Sequence, residues 1–150
     1  MKNVLSVGVI AVVALALAGA AIAGAKPATR SATLTTARTG LGQIIVNGQD
    51  STLYLFEKDT RAHSACSGLC ADYWPPALTA GKAIAIKGAK QSLIGSIARG
   101  DGTRQVTYAG HPLYLFSGDT RRGQTNGEGL QDFGAGWYVL SASGKKIDRS

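Results

Sequence analysis

The apolar and polar positions divide the chain into one uninterrupted apolar run and a longer stretch of short apolar pieces punctuated by turn residues. Val4 to Ala23 carries no charge, and the chain stays apolar or small up to Lys26. Further on, Leu53-Tyr54-Leu55-Phe56 is β-compatible, and alternation along a strand sends Leu53 and Leu55 to one face, Tyr54 and Phe56 to the other. Both faces are apolar, so both need cover, which predicts a central strand. Ile44-Ile45-Val46 ahead of Asn47-Gly48 predicts a strand running into a hairpin, because both turn residues tolerate positive φ. Gly100-Asp101-Gly102 predicts a second turn, with Leu93 to Arg99 leading in and Thr103 to Tyr108 leading out. Pro75-Pro76 is expected to end strand pairing after Trp74. Lys90 to Ile94 suits a single helical turn, and no helical run is long enough to dominate.

The strongest feature is internal repetition. Leu53-Tyr54-Leu55-Phe56-Glu57-Lys58-Asp59-Thr60-Arg61 returns as Leu113-Tyr114-Leu115-Phe116-Ser117-Gly118-Asp119-Thr120-Arg121, identical at seven of nine positions with an offset of 60. Each copy follows a strand-like piece and precedes a Trp, Trp74 and Trp137. The expected fold is therefore mostly β: a small antiparallel sandwich or barrel built from two related repeats, about 41–80 and 100–147, with little helix. All ten aromatic residues lie between Tyr54 and Tyr138, so the core is expected there, with the N-terminal part decorating it.

The apolar start has its own reading. Met1-Lys2-Asn3, the apolar run, and the small-residue patterns Ala21-Ile22-Ala23 and Ala23-Gly24-Ala25 read as a secretory signal peptide over 1–25, with an uncleaved N-terminal anchor as the alternative. In Leu17-Ala18-Gly19-Ala20, Ala20 stands where a lipidated cysteine would be. Residues 26–31 read as a tether and 32–150 as a single domain. The protein is thus expected to be exported: periplasmic, cell-surface or extracellular.

Charge and candidate chemistry refine this. The 150-residue chain has 16 basic and 9 acidic residues; without residues 1–25 the net charge is +6. That favours anionic envelope components as partners, beside an unidentified small ligand. The basic residues are scattered singly or in pairs, without the dense tract of a nucleic-acid site, and membrane contact is expected only through an uncleaved N-terminal segment.

Cys66 and Cys70 in an exported chain point to a disulfide. The alternative is a copper or redox site in which His63 joins the two thiolates. Tyr54, Asp59, Tyr114 and Asp119 have two readings. An Asp just after a strand accepts backbone N–H groups in a turn, and Asp59 could also partner a core tyrosine; alternatively, the four residues surround a ligand where the copies meet. Glu128 and Asp132 read as part of a solvated, glycine-rich loop that could bind a cation. The common hydrolase, metalloprotease, nucleotide-loop and dinucleotide motifs are absent, so no catalytic residue is assigned and no cofactor is expected, copper aside.

The two Tyr-x4-Asp motifs, with Cys66-Ser67-Gly68-Leu69-Cys70-Ala71, Trp74-Pro75-Pro76, Gly102-Thr103-Arg104-Gln105-Val106-Thr107-Tyr108, Gly110-His111-Pro112-Leu113-Tyr114 and Trp137, resemble the bacterial secreted-repeat family often found in lipoproteins. The likeness covers roughly residues 33 to 147. It implies an exported envelope protein built from tandem copies, in a family largely without assigned activity. A non-catalytic binding or structural module is the expectation, with a copper-handling or redox protein as the alternative.

Overall fold

The computed structural model describes residues 26–149; the segment expected to be a signal peptide or anchor lies outside them. The fold is mostly β. A hairpin of β1 (Thr33–Thr39) and β2 (Gly42–Asn47) leads to β3 (Tyr54–Phe56), a one-turn helix α1 (Leu69–Tyr73) and β4 (Ile84–Ala85). After a 3-10 turn at Gln91–Leu93, inside the segment expected to make a helical turn, come β5 (Ile94–Ala98), β6 (Arg104–Tyr108), β7 (His111–Pro112), β8 (Gln131–Asp132) and β9 (Ala135–Val139). The strands form three small sheets, ordered β2-β1-β4, β3-β9-β8 and β5-β6-β7. No barrel closes.

Two apolar clusters flank the repeated segment. Leu53, Leu55 and Leu113 pack into one, with Leu34, Ile45, Val106, Tyr108 and Leu140. Tyr54, Phe56 and Tyr114 pack into the other, with Cys66, Cys70, Trp74 and Trp137. The alternation expected of a strand covered on both faces is therefore present. β3 is also central: it pairs antiparallel with β9 in the register Tyr54↔Val139 and Phe56↔Trp137, and its other edge bridges Tyr114.

Three expectations are corrected. The N-terminal hairpin does not decorate the core. Leu34, Ile44, Ile45 and Val46 are buried within it, Leu34 and Ile45 in the cluster of Leu53 and Leu55, Ile44 and Val46 in that of Tyr54 and Phe56, because both apolar faces of the repeated strand need cover. Pro75-Pro76 does not end pairing, because its carbonyl side remains free to accept. Leu115 N–H donates to the Pro75 carbonyl at 2.8 Å and Ala77 N–H to Leu113 at 2.9 Å, so 73–77 lies alongside 113–117. At Asn47-Gly48 the hairpin forms, but the positive φ falls on Asp50 (62°). Asn47 works instead through its side chain, accepting the N–H groups of Gln49 and Ser51 at 3.0 and 2.9 Å, an Asx turn.

The pairing pattern gives the architecture. Trp137 to Leu140, the tail of the second copy, runs along β3 and β2 of the first, with Ile45 N–H donating to Leu140 at 2.8 Å. Trp74 to Thr79, the tail of the first copy, runs along 113–117 and β6 of the second, with Val106 N–H donating to Ala77 at 2.8 Å. Each copy thus lends its last strand to the other. Tyr54 and Tyr114 exchange both N–H···O=C bonds at 2.9 Å where the halves meet, marking a pseudo-two-fold axis.

Candidate functional site

The repeated aromatic residues converge on that axis. Four rings stack in a row: Phe56 on Trp137 (centroids 4.0 Å), Trp137 on Trp74 (3.9 Å) and Trp74 on Phe116 (4.3 Å). The tyrosines meet the indoles edge-on, Tyr54 against Trp74 at 5.4 Å and Tyr114 against Trp137 at 5.1 Å. These offset and T-shaped contacts suit the ring quadrupoles. The two tails had to exchange for Trp74 and Trp137 to stack, since each indole is carried by the tail strand. Gly127 closes one side of the stack: a Cβ there would lie 2.7 Å from Trp74 and 3.0 Å from Tyr54, so no larger residue fits without displacing the indole.

The carboxylates of the motif are exchanged as well. Tyr54 Oη donates to Asp119 Oδ2 at 2.6 Å, and Tyr114 Oη donates to Asp59 Oδ2 at 2.7 Å. Each tyrosine is served by the aspartate of the other copy. The second carboxylate oxygen fixes a turn: Asp59 Oδ1 accepts Ala65 N–H at 2.7 Å, and Asp119 Oδ1 accepts Asn126 N–H at 2.9 Å. Both the turn role and the tyrosine-partner role expected of the aspartate are met, but the tyrosine belongs to the opposite repeat. All four residues come together around the axis, with both tyrosines fully buried.

Burial, then the hydrogen bond and charge of Asp119, pushes the Tyr54 pKa far above its ordinary value. Burial, then the Asp59 charge, does the same to Tyr114. Burial also raises Asp59, against the opposing pull of the Ala65 N–H and the Tyr114 hydroxyl.

Around Tyr114 the sequence reading missed a polar chain. Arg99, nearly buried, donates from Nη1 to Ser64 Oγ and Gln105 Oε1, both at 2.7 Å, and from Nη2 to the Cys66 carbonyl at 2.8 Å. Ser64 Oγ lies 2.7 Å from Tyr114 Oη. Arginine only donates and a carboxylate only accepts, so the protons must run from Arg99 through Ser64 and Tyr114 to Asp59. Around Tyr54 no such cation stands among the described residues; Gly127 N–H donates to its hydroxyl at 3.3 Å. The signal for Arg99 is a difference between the repeats, since the position 60 earlier is Thr39.

Cys66 and Cys70 form a disulfide across the start of α1, with Cα atoms 5.3 Å apart, so neither sulfur offers a thiolate in this state. His63 is exposed and pairs with Thr60 through its backbone. Among the described residues no group of three or more His, Cys, Asp or Glu side chains is placed to hold a metal ion. Glu128 departs from the solvated reading: Oε2 accepts Val139 N–H at 2.8 Å, Oε1 is buried without a hydrogen-bond partner among the described residues, and burial raises its pKa.

The two halves so described are also two matches to one sequence family. Residues 35–78 and 95–141 each fit the model of a secreted repeat of unknown function. The chain belongs to that family. No curated protein and no solved structure matches it. Each matched segment of this secreted-repeat protein ends in, or just past, the tail lent to the other copy. The family unit is thus a unit of sequence, and the folded unit is a pair. No helix among the described residues is long and apolar enough to cross a membrane.

Proposed function

We propose that this exported secreted-repeat protein is a non-catalytic module of the cell envelope that works by binding anionic envelope components. The observation that carries this reading is the commitment of the repeated motif to the framework. The tyrosine hydroxyls donate to the aspartates, the second carboxylate oxygens fix turns and the two indoles stack on each other, so the motif builds the fold and leaves recognition to the surface. That surface is basic, +6 after removal of residues 1–25, and positive charge concentrates anionic partners.

The test uses protein exported by its host and isolated envelope material from the same cells. Saturable binding that weakens steeply as salt is raised supports the reading, because exposed charges are screened beyond about 10 Å at 0.1 M ionic strength. Binding indifferent to salt, no binding, or specific turnover of an envelope component would overturn it. One copper retained per chain after mild reduction would overturn it in favour of metal handling by His63, Cys66 and Cys70.

A further inference from the structure

The positive charge is not spread evenly along the chain. Residues 26–49 and 73–100 contain seven basic residues and no acidic one, whereas 50–72 and 101–150 contain eight basic and nine acidic. Arg99 is spent inside, on the polar chain around Tyr114; the fold turns the rest of this imbalance into a surface by placing the two acid-free stretches side by side. β1 and β4 pair in parallel, Thr33↔Ile84 and Leu34↔Ala85. Ala80 N–H donates to Arg30 at 3.0 Å, and Thr36 Oγ1 donates to the Lys87 carbonyl at 2.7 Å. Arg30, Lys82, Lys87 and Lys90 are all exposed there.

A cleft of about 280 Å³ opens beside this face, lined by Gly81, Lys82, Ala83, Ile94, Gly95, Ser96 and Arg104, with no carboxylate among them. Arg104 Nη1 donates to Ser96 Oγ at 3.0 Å, which holds the guanidinium at the wall. An ammonium, a guanidinium and a hydroxyl in one cleft match the oxygens of a phosphate group. The chain then runs from Lys82 and Ala83 straight into β4, whose Ile84, and Ile86 just beyond it, are large apolar side chains left 48% and 43% exposed. They are spaced two apart, so they lie on one side of the extended segment. Exposed apolar residues rimmed by cations suit the boundary between headgroups and acyl chains.

We infer that this face is a docking site for an anionic lipid surface, with a headgroup phosphate in the Lys82–Ser96–Arg104 cleft and Ile84 and Ile86 entering the acyl boundary. The inference rests on the anionic-partner reading above and gives it a place and a chemical class.

The test is co-sedimentation of the host-exported protein with phosphatidylglycerol and phosphatidylcholine vesicles, read as the ratio of the two affinities. That ratio cancels any contribution of residues 1–25 common to both lipids. A basic residue at an anionic surface contributes about fivefold, so Lys82→Ala with Arg104→Ala is expected to cut the ratio roughly 25-fold. Arg121→Ala with Arg122→Ala, the same charge removed from outside the cleft, is expected to change it less than about twofold. Ile84→Ser with Ile86→Ser is expected to weaken phosphatidylglycerol binding further at high salt, where charge is screened. All replaced side chains are exposed, and coincident urea curves check that each variant folds. Equal loss from both charge pairs would overturn the site. Binding to soluble polyphosphate without vesicle binding would overturn the lipid partner while sparing the anionic-envelope reading. Binding to neither probe nor to envelope material would remove both.

Discussion

The exchanged Tyr–Asp pairs make a prediction that a within-copy arrangement does not. Tyr54→Phe deletes a hydroxyl that donates to Asp119 at 2.6 Å and accepts Gly127 N–H at 3.3 Å. A buried hydrogen bond to a charged acceptor contributes about 1.5–3 kcal/mol, and its loss strands the partners left behind. The expected cost is about 2–3 kcal/mol. Asp119→Ala removes the same bond and the acceptor of Asn126 N–H, for about 3 kcal/mol. The double variant loses the shared bond only once, so the cycle should show a coupling of about 1–2 kcal/mol. Tyr114 with Asp59 should behave alike, since their bond is 2.7 Å. Tyr54 with Asp59 share no bond and should be additive to within about 0.5 kcal/mol. The assay is urea unfolding with the disulfide intact, with thermal unfolding as a check at roughly 4 °C per kcal/mol. Coupling larger within a copy than between copies would refute the exchanged architecture itself.

Four further outcomes are expected. Burial raises the folded pKa of Asp59 above the ordinary 3.8, so its favourable contribution is complete below that value and is lost as pH rises through the higher folded one; the stability of wild type relative to Asp59→Asn should fall across that window, and a rise would contradict it. Tyr54 and Tyr114 titrate far above the ordinary 10.0, so ultraviolet titration of wild type against Tyr54→Phe and Tyr114→Phe should find these two tyrosines ionising only on unfolding, with stability lost as pH rises past about 10. Replacing Cys66 and Cys70 by Ser opens a loop of about five residues and should cost about 2 kcal/mol on the chain-entropy model, read from unfolding with and without reductant. Ala109 holds φ 51° before Gly110 at φ 86°. A left-handed alanine costs about 1–2 kcal/mol, partly offset by the greater unfolded-state freedom of glycine, so Ala109→Gly should raise stability by about 0.5–1 kcal/mol.

Much of the architecture was legible because it depends on local chemistry. Leu53 and Leu55 against Tyr54 and Phe56 is a period-two pattern that a strand must sort onto two faces, and the clusters sort it that way. The disulfide followed from two nearby thiols in an exported chain. The exchange was not legible, and the reason is physical. The two copies agree at seven of nine positions, so Tyr54 meets the same residue types whether Asp59 or Asp119 approaches it. A repeat pattern specifies the contact but not which copy supplies it. The prolines misled for a related reason. Proline lacks an N–H but keeps its carbonyl, and the strand beside Pro75 uses the acceptor. Arg99 escaped notice because its partners, Ser64, Gln105 and the Cys66 carbonyl, are scattered over 40 residues and form one site only after the tails cross.

That asymmetry also says how the two repeats have divided their labour. In the first, a disulfide and a one-turn helix make a rigid loop, and Arg99 from the second copy grips the carbonyl of Cys66. In the second, a glycine-rich loop lies against the stack, and Gly127 gives Tyr54 a backbone donor where Tyr114 has Ser64. Arg99 is matched by Asp59 through the polar chain and by Asp101 at 3.8 Å; deleting it would leave a buried carboxylate without its cation, the costly way to break such a pair. The copies are therefore no longer interchangeable, although their motifs still are. A lone copy would have a tyrosine without its aspartate, an indole without its partner and a tail strand without an edge to pair with. The motif recurs because each copy completes the other. A framework closed on itself in this way leaves β4 and the loops around it, outside the exchanged motif, to carry the exposed charge and apolar residues of the proposed docking face.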